Sequence, residues 1–85
     1  SSAASDVYKR QELKEFIRLF AEEFDETPSE VFQPDTNYRE LDEWSSLTAL
    51  SIISMVDENF DLQLTGADLR SAKTIEELFD IIQNK

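Results

Sequence analysis

Two adjacent serines in the stretch LDEWSSLTAL, residues 41–50, are the side chains whose type and position suggest chemistry. They stand between an acidic loop and an apolar run, where a helix is predicted to begin. A serine oxygen at a helix start accepts a hydrogen bond from a free backbone N–H. The positive end of the helix dipole at the same place also stabilises an anion such as a phosphate. Ser45 and Ser46 therefore allow one hydroxyl to cap the helix while the other receives a phosphate ester.

The composition argues against a catalytic use of these hydroxyls. The 85 residues include no histidine, which is the commonest general base and the usual partner of a nucleophilic serine. They also include no cysteine, so the sequence holds no disulfide and no thiolate metal site. We therefore predict that the chain is not an enzyme. A serine nucleophile activated by Asp, Glu or Lys remains the enzymatic alternative.

The charge is strongly negative, with 8 basic and 19 acidic side chains and a net charge of −11. Such a surface repels nucleic-acid phosphates and anionic lipid, and it speeds encounters with basic patches on other proteins. The alternative is that the acidity simply keeps a small domain soluble. No run approaches the roughly 20 apolar residues of a membrane span, and no signal peptide is visible. We expect a cytoplasmic monomer with no membrane span and no nucleic-acid partner.

The elements that must position the serines are predicted to be helices. The first runs from Asp6 to about Asp25, capped by Ser5 or Asp6 and stopped before Pro28. Its apolar stripe consists of Leu13, Phe16, Ile17, Phe20 and Phe24. A loop of about twenty residues follows, which is long for so small a domain. It has a turn of helix at PSEVF and is anchored to the core by Val31, Phe32, Tyr38, Leu41 and Trp44.

Three more helices complete the predicted fold. The second begins at Ser45 or Ser46 and ends at Phe60, and a short third helix at GADLRSA is capped by Thr65 and Asp68. The last starts at Thr74, where Glu77 closes a Thr-x-x-Glu capping box, and runs to about Asn84. No segment has the clean alternation of a strand. The prediction is an all-α, small four-helix bundle with three main helices and one short one, preceded by a disordered lead (residues 1–5; domain 6–85).

The second helix has two apolar faces where one is usual. One face is the expected core stripe of Ala49, Ile53, Val56 and Phe60, with Leu50 and Ile52 flanking it. The other combines large apolar, hydroxyl and acidic side chains: Leu47, Ser51, Ser54, Met55 and Glu58, with Asp57 beside them. Either neighbouring elements surround this helix, or the second face is a docking surface for a basic partner.

The segment SSLTALSIISMVDENFDLQLTGADLRSAKTIEELFDII resembles the acyl carrier and peptidyl carrier protein family. The family's hallmark is Asp-Ser-Leu at the start of the second helix, and its serine receives 4′-phosphopantetheine from coenzyme A. Ser46 and Leu47 match the last two residues of that motif, whereas Ser45 replaces the aspartate that helps the transferase and its Mg²⁺ engage the carrier. Asp42 and Glu43 are near enough in sequence to compensate. Phe60, Leu64 and the KTIEEL segment also match family positions.

The resemblance implies that Ser46 carries the phosphopantetheine arm and that the arm holds an acyl or aminoacyl group as a thioester. It implies a phosphopantetheinyl transferase and acyl-loading and acyl-using synthase enzymes with basic docking patches as partners. The partner surface would be Leu47, Ser51, Ser54, Met55, Asp57 and Glu58. A cleft that shelters an acyl chain would be lined by Val56, Phe60, Leu64, Leu69 and Ala72, unless these five are simply core.

Two questions stay open at this stage. Fatty acyl, polyketide, aminoacyl and D-alanyl carriers share the scaffold, so the cargo is not identified. The missing aspartate also favours an alternative, a carrier-like domain that is never modified and acts only as a protein-interaction module. The short polar start and the end at Lys85 favour a free-standing chain over a piece of a synthase.

Overall fold

The computed structural model describes the backbone of residues 2–85 and the side chains of residues 10–85. All regular structure in this part is helical. Its elements are α1 (Ser2–Glu22), a first 3₁₀ helix (Ser29–Val31), a second 3₁₀ helix (Tyr38–Glu40), α2 (Ser46–Phe60), α3 (Gly66–Ser71) and α4 (Ile75–Gln83). The predicted all-α, four-helix architecture with its long loop after the first helix is confirmed. None of the helices within residues 2–85 has the length and apolar character needed to cross a bilayer.

Helix α1 begins at Ser2, so the predicted start at Ser5 or Asp6 is wrong. Alanines at positions 3 and 4 favour helix, and no proline or glycine interrupts it. At the other end, the N–H groups of Glu23 and Phe24 bond to carbonyls three residues back, which tightens and ends the helix. Ser1 and the side chains of residues 2–9 lie outside the described part. The division into a lead (1–5) and a domain (6–85) stays a prediction.

The core is built largely from aromatic side chains. Phe16, Phe20 and Tyr38 are fully buried. Phe20 makes edge-to-face contacts with Phe16 and Tyr38 at ring-centroid distances of 5.9 and 5.5 Å. Burying one such ring stabilises the fold by about 1.5–3 kcal/mol. A few large rings, contributed by α1, the loop and α4, therefore hold this small domain together.

Helix α2 buries a different face from the one predicted. Its buried residues are Thr48, Ile52, Met55 and Val56. Of the predicted stripe only Val56 is fully buried, while Ala49, Ile53 and Phe60 are half-buried. Leu50, predicted to flank the core, is 60% exposed. The Thr48 hydroxyl donates to the carbonyl of Glu43 at 2.7 Å, which turns this side of the helix towards the loop.

The long loop is held to the rest of the fold by backbone hydrogen bonds and by buried side chains. Its Pro34 and Thr36 carbonyls accept hydrogen bonds from the N–H groups of Glu76 and Ile75, which supplies partners for the start of α4. Of its predicted anchors, Phe32 and Tyr38 are buried, and Leu41 and Trp44 pack on the core. Val31 is 39% exposed, so its predicted anchoring role is wrong, and the first 3₁₀ helix buries no residue.

The later helix caps follow the predicted pattern with one difference. Thr65 and Asp68 form both hydrogen bonds of a capping box at α3. At α4 the Thr74 hydroxyl accepts from the N–H of Glu77 at 3.1 Å, but the Glu77 carboxylate accepts from Lys73 rather than Thr74. The predicted second box is therefore half formed, because Glu77 reaches one residue further back.

Candidate functional site

The two serines at the start of α2 have different structural roles. Ser45 is the N-cap and completes a capping box with Thr48, so its hydroxyl is engaged in holding the helix start. Ser46 is the first helical residue and is exposed. The hydrogen bonds at this turn involve Ser45, Thr48 and Glu43, and among the described residues none involves the Ser46 hydroxyl. The predicted capping role of Ser45 is confirmed, and the modification of Ser46 stays a prediction.

Thr48 is the centre of the hydrogen bonds beneath Ser46. Its hydroxyl donates to the Glu43 carbonyl at 2.7 Å and accepts from the Ser45 N–H at 3.0 Å. A hydroxyl has a single hydrogen, so the 3.0 Å contact between the two hydroxyls has Ser45 as donor. Thr48 is 9% exposed, and all its hydrogen-bonding capacity is used. The buried side chain of Thr48 thus holds the turn that presents Ser46 in place.

Glu43 connects this turn to the segment that follows α1. Its carboxylate oxygen Oε1 accepts from the N–H of Glu26 at 2.9 Å and from both the N–H and the hydroxyl of Thr27. The hydroxyl of Thr27 and these backbone donors hold the pKa of the Glu43 carboxyl below its usual value. This carboxylate oxygen is engaged by Thr27 and Glu26, and the prediction that Glu43 compensates for the missing aspartate stays a prediction. Asp42 is exposed.

Trp44 and Tyr38 form an aromatic support under the same loop. The rings meet edge to face at 5.0 Å, and Trp44 also stacks near Phe24 at 6.5 Å. The Tyr38 hydroxyl contacts the carbonyls of Leu69 at 2.7 Å and Ala72 at 3.1 Å. Burial raises the pKa of Tyr38 to about 12, so it remains a hydrogen-bond donor at neutral pH. The loop before Ser46 is thereby tied to the end of α3 through Tyr38, a link that the sequence analysis did not predict.

A groove of about 310 Å³ opens directly beside Ser46. The serine pair, an apolar floor of three side chains, the only glycine and two arginines line it: Arg39, Trp44, Ser45, Ser46, Ala49, Gly66, Leu69 and Arg70. Sequence reasoning missed both arginines. They lie far apart in the chain and carry no motif, so only their shared place beside Ser46 identifies them.

The predicted partner surface largely assembles on one side of α2. A groove of about 410 Å³ between α1 and α2 is lined by Leu19, Glu23, Leu47, Leu50, Ser51, Ser54, Met55, Glu58 and Asn59. Leu47 is 77% exposed, whereas Met55 is 4% exposed. Met55 is therefore a core side chain that borders the groove, and its predicted role as an exposed anchor needs correction. Asp57 is exposed but does not line this groove.

This groove, here called the α1–α2 groove, has one more carboxylate than the predicted surface supplies to it, because Glu23 lines it together with Glu58. Desolvation, together with the neighbouring charges of Glu22, Glu58 and Asp25, raises the pKa of Glu23 above its usual value. Crowded carboxylates of this kind gain from the approach of a cation. Leu19, Glu23 and Leu50 extend the predicted surface, and since they come from two separate segments, only the packing of α1 beside α2 brings them together.

The residues predicted to line an acyl cleft lie in the hydrophobic core. Val56, Leu64, Leu69 and Ala72 are buried, and Phe60 is half-buried with its ring 5.8 Å from that of Phe16. These side chains belong to one packed cluster. An acyl chain would enter only by displacing them, so the role of these five residues as a cleft stays a prediction, and their structural role is packing.

Comparison with known families agrees with this geometry. Residues 14–82, more than three quarters of the 85-residue chain, match the sequence model of a family described as the phosphopantetheine attachment site. The matched range contains the serine pair, all of α2 and α3, and both grooves described above. The searches of curated proteins and of solved structures give no significant match.

Proposed function

The chain belongs to the phosphopantetheine-binding family of acyl and peptidyl carrier proteins, and from this membership we propose that Ser46 carries the arm. The family attaches 4′-phosphopantetheine covalently. We propose further that the terminal thiol of the arm holds an acyl or aminoacyl group as a thioester and moves it between partner enzymes. The observation that supports Ser46 most directly is the exposed hydroxyl on the first residue of α2, next to a Ser45 whose own hydroxyl is engaged.

The residues at this site suit the attachment of a phosphate ester. The Ser46 oxygen lies at the positive end of a 15-residue helix, which favours the negative charge of a phosphodiester. The bonds among Ser45, Thr48 and Glu43 fix the turn, so the hydroxyl is presented to a transferase in one place. When bound, the arm supplies the thiol that the chain lacks, since the sequence has no cysteine.

Carrier domains of this family are generally non-catalytic, and we propose that this one is too. Its part would be to dock successively on a phosphopantetheinyl transferase and on the enzymes that load and use the acyl group. The α1–α2 groove supports this proposal, because it combines the exposed Leu47 and Leu50 with the crowded carboxylates Glu23 and Glu58. Such a surface fits a basic patch with an apolar centre and favours rapid, reversible encounters.

Intact-mass measurement tests the attachment site. Purified protein is incubated with coenzyme A and a broad-specificity phosphopantetheinyl transferase. We expect a mass gain of about one phosphopantetheine in the wild type and in Ser45→Ala, and no gain in Ser46→Ala. Absence of the gain in the wild type, or its persistence in Ser46→Ala, would overturn the proposal.

A second candidate function is an unmodified interaction module, and one observation favours it. Ser45 stands where the resemblance places an aspartate, and the Glu43 carboxylate accepts hydrogen bonds from Thr27. In this case protein isolated from its native host would carry no arm. Ser46→Ala would then leave partner binding intact, whereas Leu47→Ala and Glu58→Gln would weaken it.

A further inference from the structure

We propose that Arg39 and Arg70 bind the phosphodiester that joins the arm to Ser46, with the first carbons of the arm lying on the apolar floor of the same groove. This inference rests on the proposed function, because it concerns the ester formed on Ser46. The groove is the one of about 310 Å³ described above, and it opens beside Ser46 and Ala49 at the start of α2.

The two arginines are the only basic residues over a long part of the chain. Between Arg18 and Lys73 the sequence contains no other lysine or arginine, although the acidic residues are numerous. The fold nevertheless brings both to one groove. Arg39 follows Tyr38 in sequence and Arg70 follows Leu69, and the Tyr38 hydroxyl lies 2.7 Å from the Leu69 carbonyl oxygen. This buried hydrogen bond holds together the two segments that carry the arginines, and both arginines line the same groove in a chain with a net charge of −11.

Neither guanidinium has an acidic partner among the described residues. The ion pairs in that part of the chain are Arg18 with Glu15 and Glu22, and Lys85 with Asp68. Asp68 is near Arg70 in sequence but is held by Lys85 and by the N–H of Thr65. In so acidic a protein, two exposed arginines without a carboxylate partner are available to bind an anion that comes from outside the folded chain.

Gly66 makes room for one of the guanidinium groups. A Cβ atom at this residue would lie 3.3 Å from Nη1 of Arg70, so the guanidinium rests close to the start of α3. Gly66 is the only glycine of the chain, and its φ angle is not positive, so no turn geometry requires it. With no Cβ at Gly66, the Arg70 guanidinium approaches the start of α3 without having to shift.

The groove matches the chemistry of the near end of the arm. A guanidinium binds phosphate oxygens through two parallel N–H donors, a geometry that lysine lacks. Beyond the phosphate, the pantoyl unit carries a carbon with two methyl groups, which is apolar. Trp44 and Ala49, both half-buried, provide an apolar surface of matching character beside the arginines, and the buried Leu69 borders it. The arrangement would hold the root of the arm while its thiol end remains free to reach an enzyme.

Nuclear magnetic resonance of the apo and arm-bearing forms tests this proposal. We expect the Nε–Hε signals of Arg39 and Arg70 to shift when the arm is attached, and that of Arg18, which is paired with glutamates on α1, to stay unchanged. We also expect the ³¹P signal of the arm-bearing protein to differ from that of a free serine phosphopantetheine diester. That difference should be lost in Arg39→Gln/Arg70→Gln and retained in Lys14→Gln/Arg18→Gln, which removes the same two positive charges from exposed residues of α1.

The outcomes separate this inference from the proposed function. If intact mass shows no arm on the wild type, the proposed function fails. If the arm is present but neither arginine signal shifts, or the double variant keeps the wild-type ³¹P signal, the arginine site is wrong and the carrier function stands. Equal shifts in Ser46→Ala on adding stoichiometric coenzyme A would assign the groove to the free nucleotide and overturn the proposal. The wild-type comparison needs no variant, so poor folding of a variant leaves the test decisive.

Discussion

The hydroxyl of Tyr38 lies 2.7 Å from the carbonyl oxygen of Leu69 in the interior of the protein, and this contact joins the loop before Ser46 to helix α3. Tyr38 also packs on Trp44, the residue that precedes the serine pair. Tyr38 therefore holds the loop that presents Ser46 against α3. Residues of these same two segments line the groove beside Ser46.

Tyr38→Phe should destabilise the fold measurably. It removes the donor to the Leu69 and Ala72 carbonyls and leaves buried acceptors without that partner, which costs about 1–3 kcal/mol in the free energy of unfolding. Urea titration followed by the fluorescence of Trp44, the only tryptophan, measures the change. A free energy of unfolding equal to that of the wild type within experimental error would mean that the bonds of the Tyr38 hydroxyl contribute nothing measurable to stability.

The raised pKa of Tyr38 also predicts that the folded protein loses stability at alkaline pH. Its pKa in the folded protein is about 12, against an ordinary value of 10.0, so the unfolded chain releases this proton first. The unfolded state then binds fewer protons, and stability falls as the pH rises from about 10 towards 12. Urea midpoints between pH 8 and about 11 should decline in the wild type, and less steeply in Tyr38→Phe. Parallel curves for the two proteins would contradict the prediction.

Alanine substitutions at the two serines should differ in their effect on the free energy of unfolding. Ser45→Ala removes an N-cap and should lower the free energy of unfolding by about 0.5–2 kcal/mol. Ser46→Ala removes an exposed hydroxyl that is not used at this turn and should change it by less than about 0.5 kcal/mol. Thermal unfolding by circular dichroism compares them. A larger loss in Ser46→Ala than in Ser45→Ala would show that the roles are exchanged.

Ser45→Asp should make the chain a better substrate for the transferase. Aspartate is also a good N-cap, so the helix start survives, and a carboxylate is restored next to Ser46 where the resemblance places one. We expect an increase of about tenfold in kcat/KM, equivalent to about 1.4 kcal/mol. Gln11→Glu, which adds the same charge at an exposed residue of α1 outside both grooves, is the control. Equal gains in both variants would attribute the effect to net charge.

Glu43→Gln should weaken the acid sensitivity of the fold. Hydrogen bonds from Thr27 and from backbone N–H groups lower the pKa of Glu43 in the folded protein. The unfolded state therefore binds this proton more readily, and the stability that Glu43 contributes at neutral pH is lost as the pH falls through the folded pKa. Urea midpoints at pH 7 and at about pH 3 should differ more in the wild type than in Glu43→Gln.

Glu30→Gln removes an equal charge from an exposed residue of the first 3₁₀ helix and serves as the control for Glu43→Gln. It should keep the wild-type difference between the two pH values. If both variants reduce the difference equally, the acid response belongs to the overall charge of −11 rather than to the Glu43 contacts.

Local sequence patterns predicted where the helices lie, but they predicted only in part which residues of α2 are buried. The predicted helix caps at Ser45 and at Thr65 with Asp68 are short-range patterns. Their hydrogen bonds form within one turn of helix, and they are present in the structure. Which side of α2 faces the core depends on what covers it. Both sides are apolar, and periodicity alone could not tell that Met55 is buried while Leu50 is exposed.

The sequence by itself determined the helical architecture, the serine pair at the start of α2 and the acidic balance, because these follow from residue spacing, capping and composition. Only the tertiary structure decided that Glu43 is bound to Thr27 and that Arg39 and Arg70 share a groove beside Ser46. These contacts join residues 16 or more apart in the chain. Their geometry is set by the packing of a shared core, which no local pattern encodes.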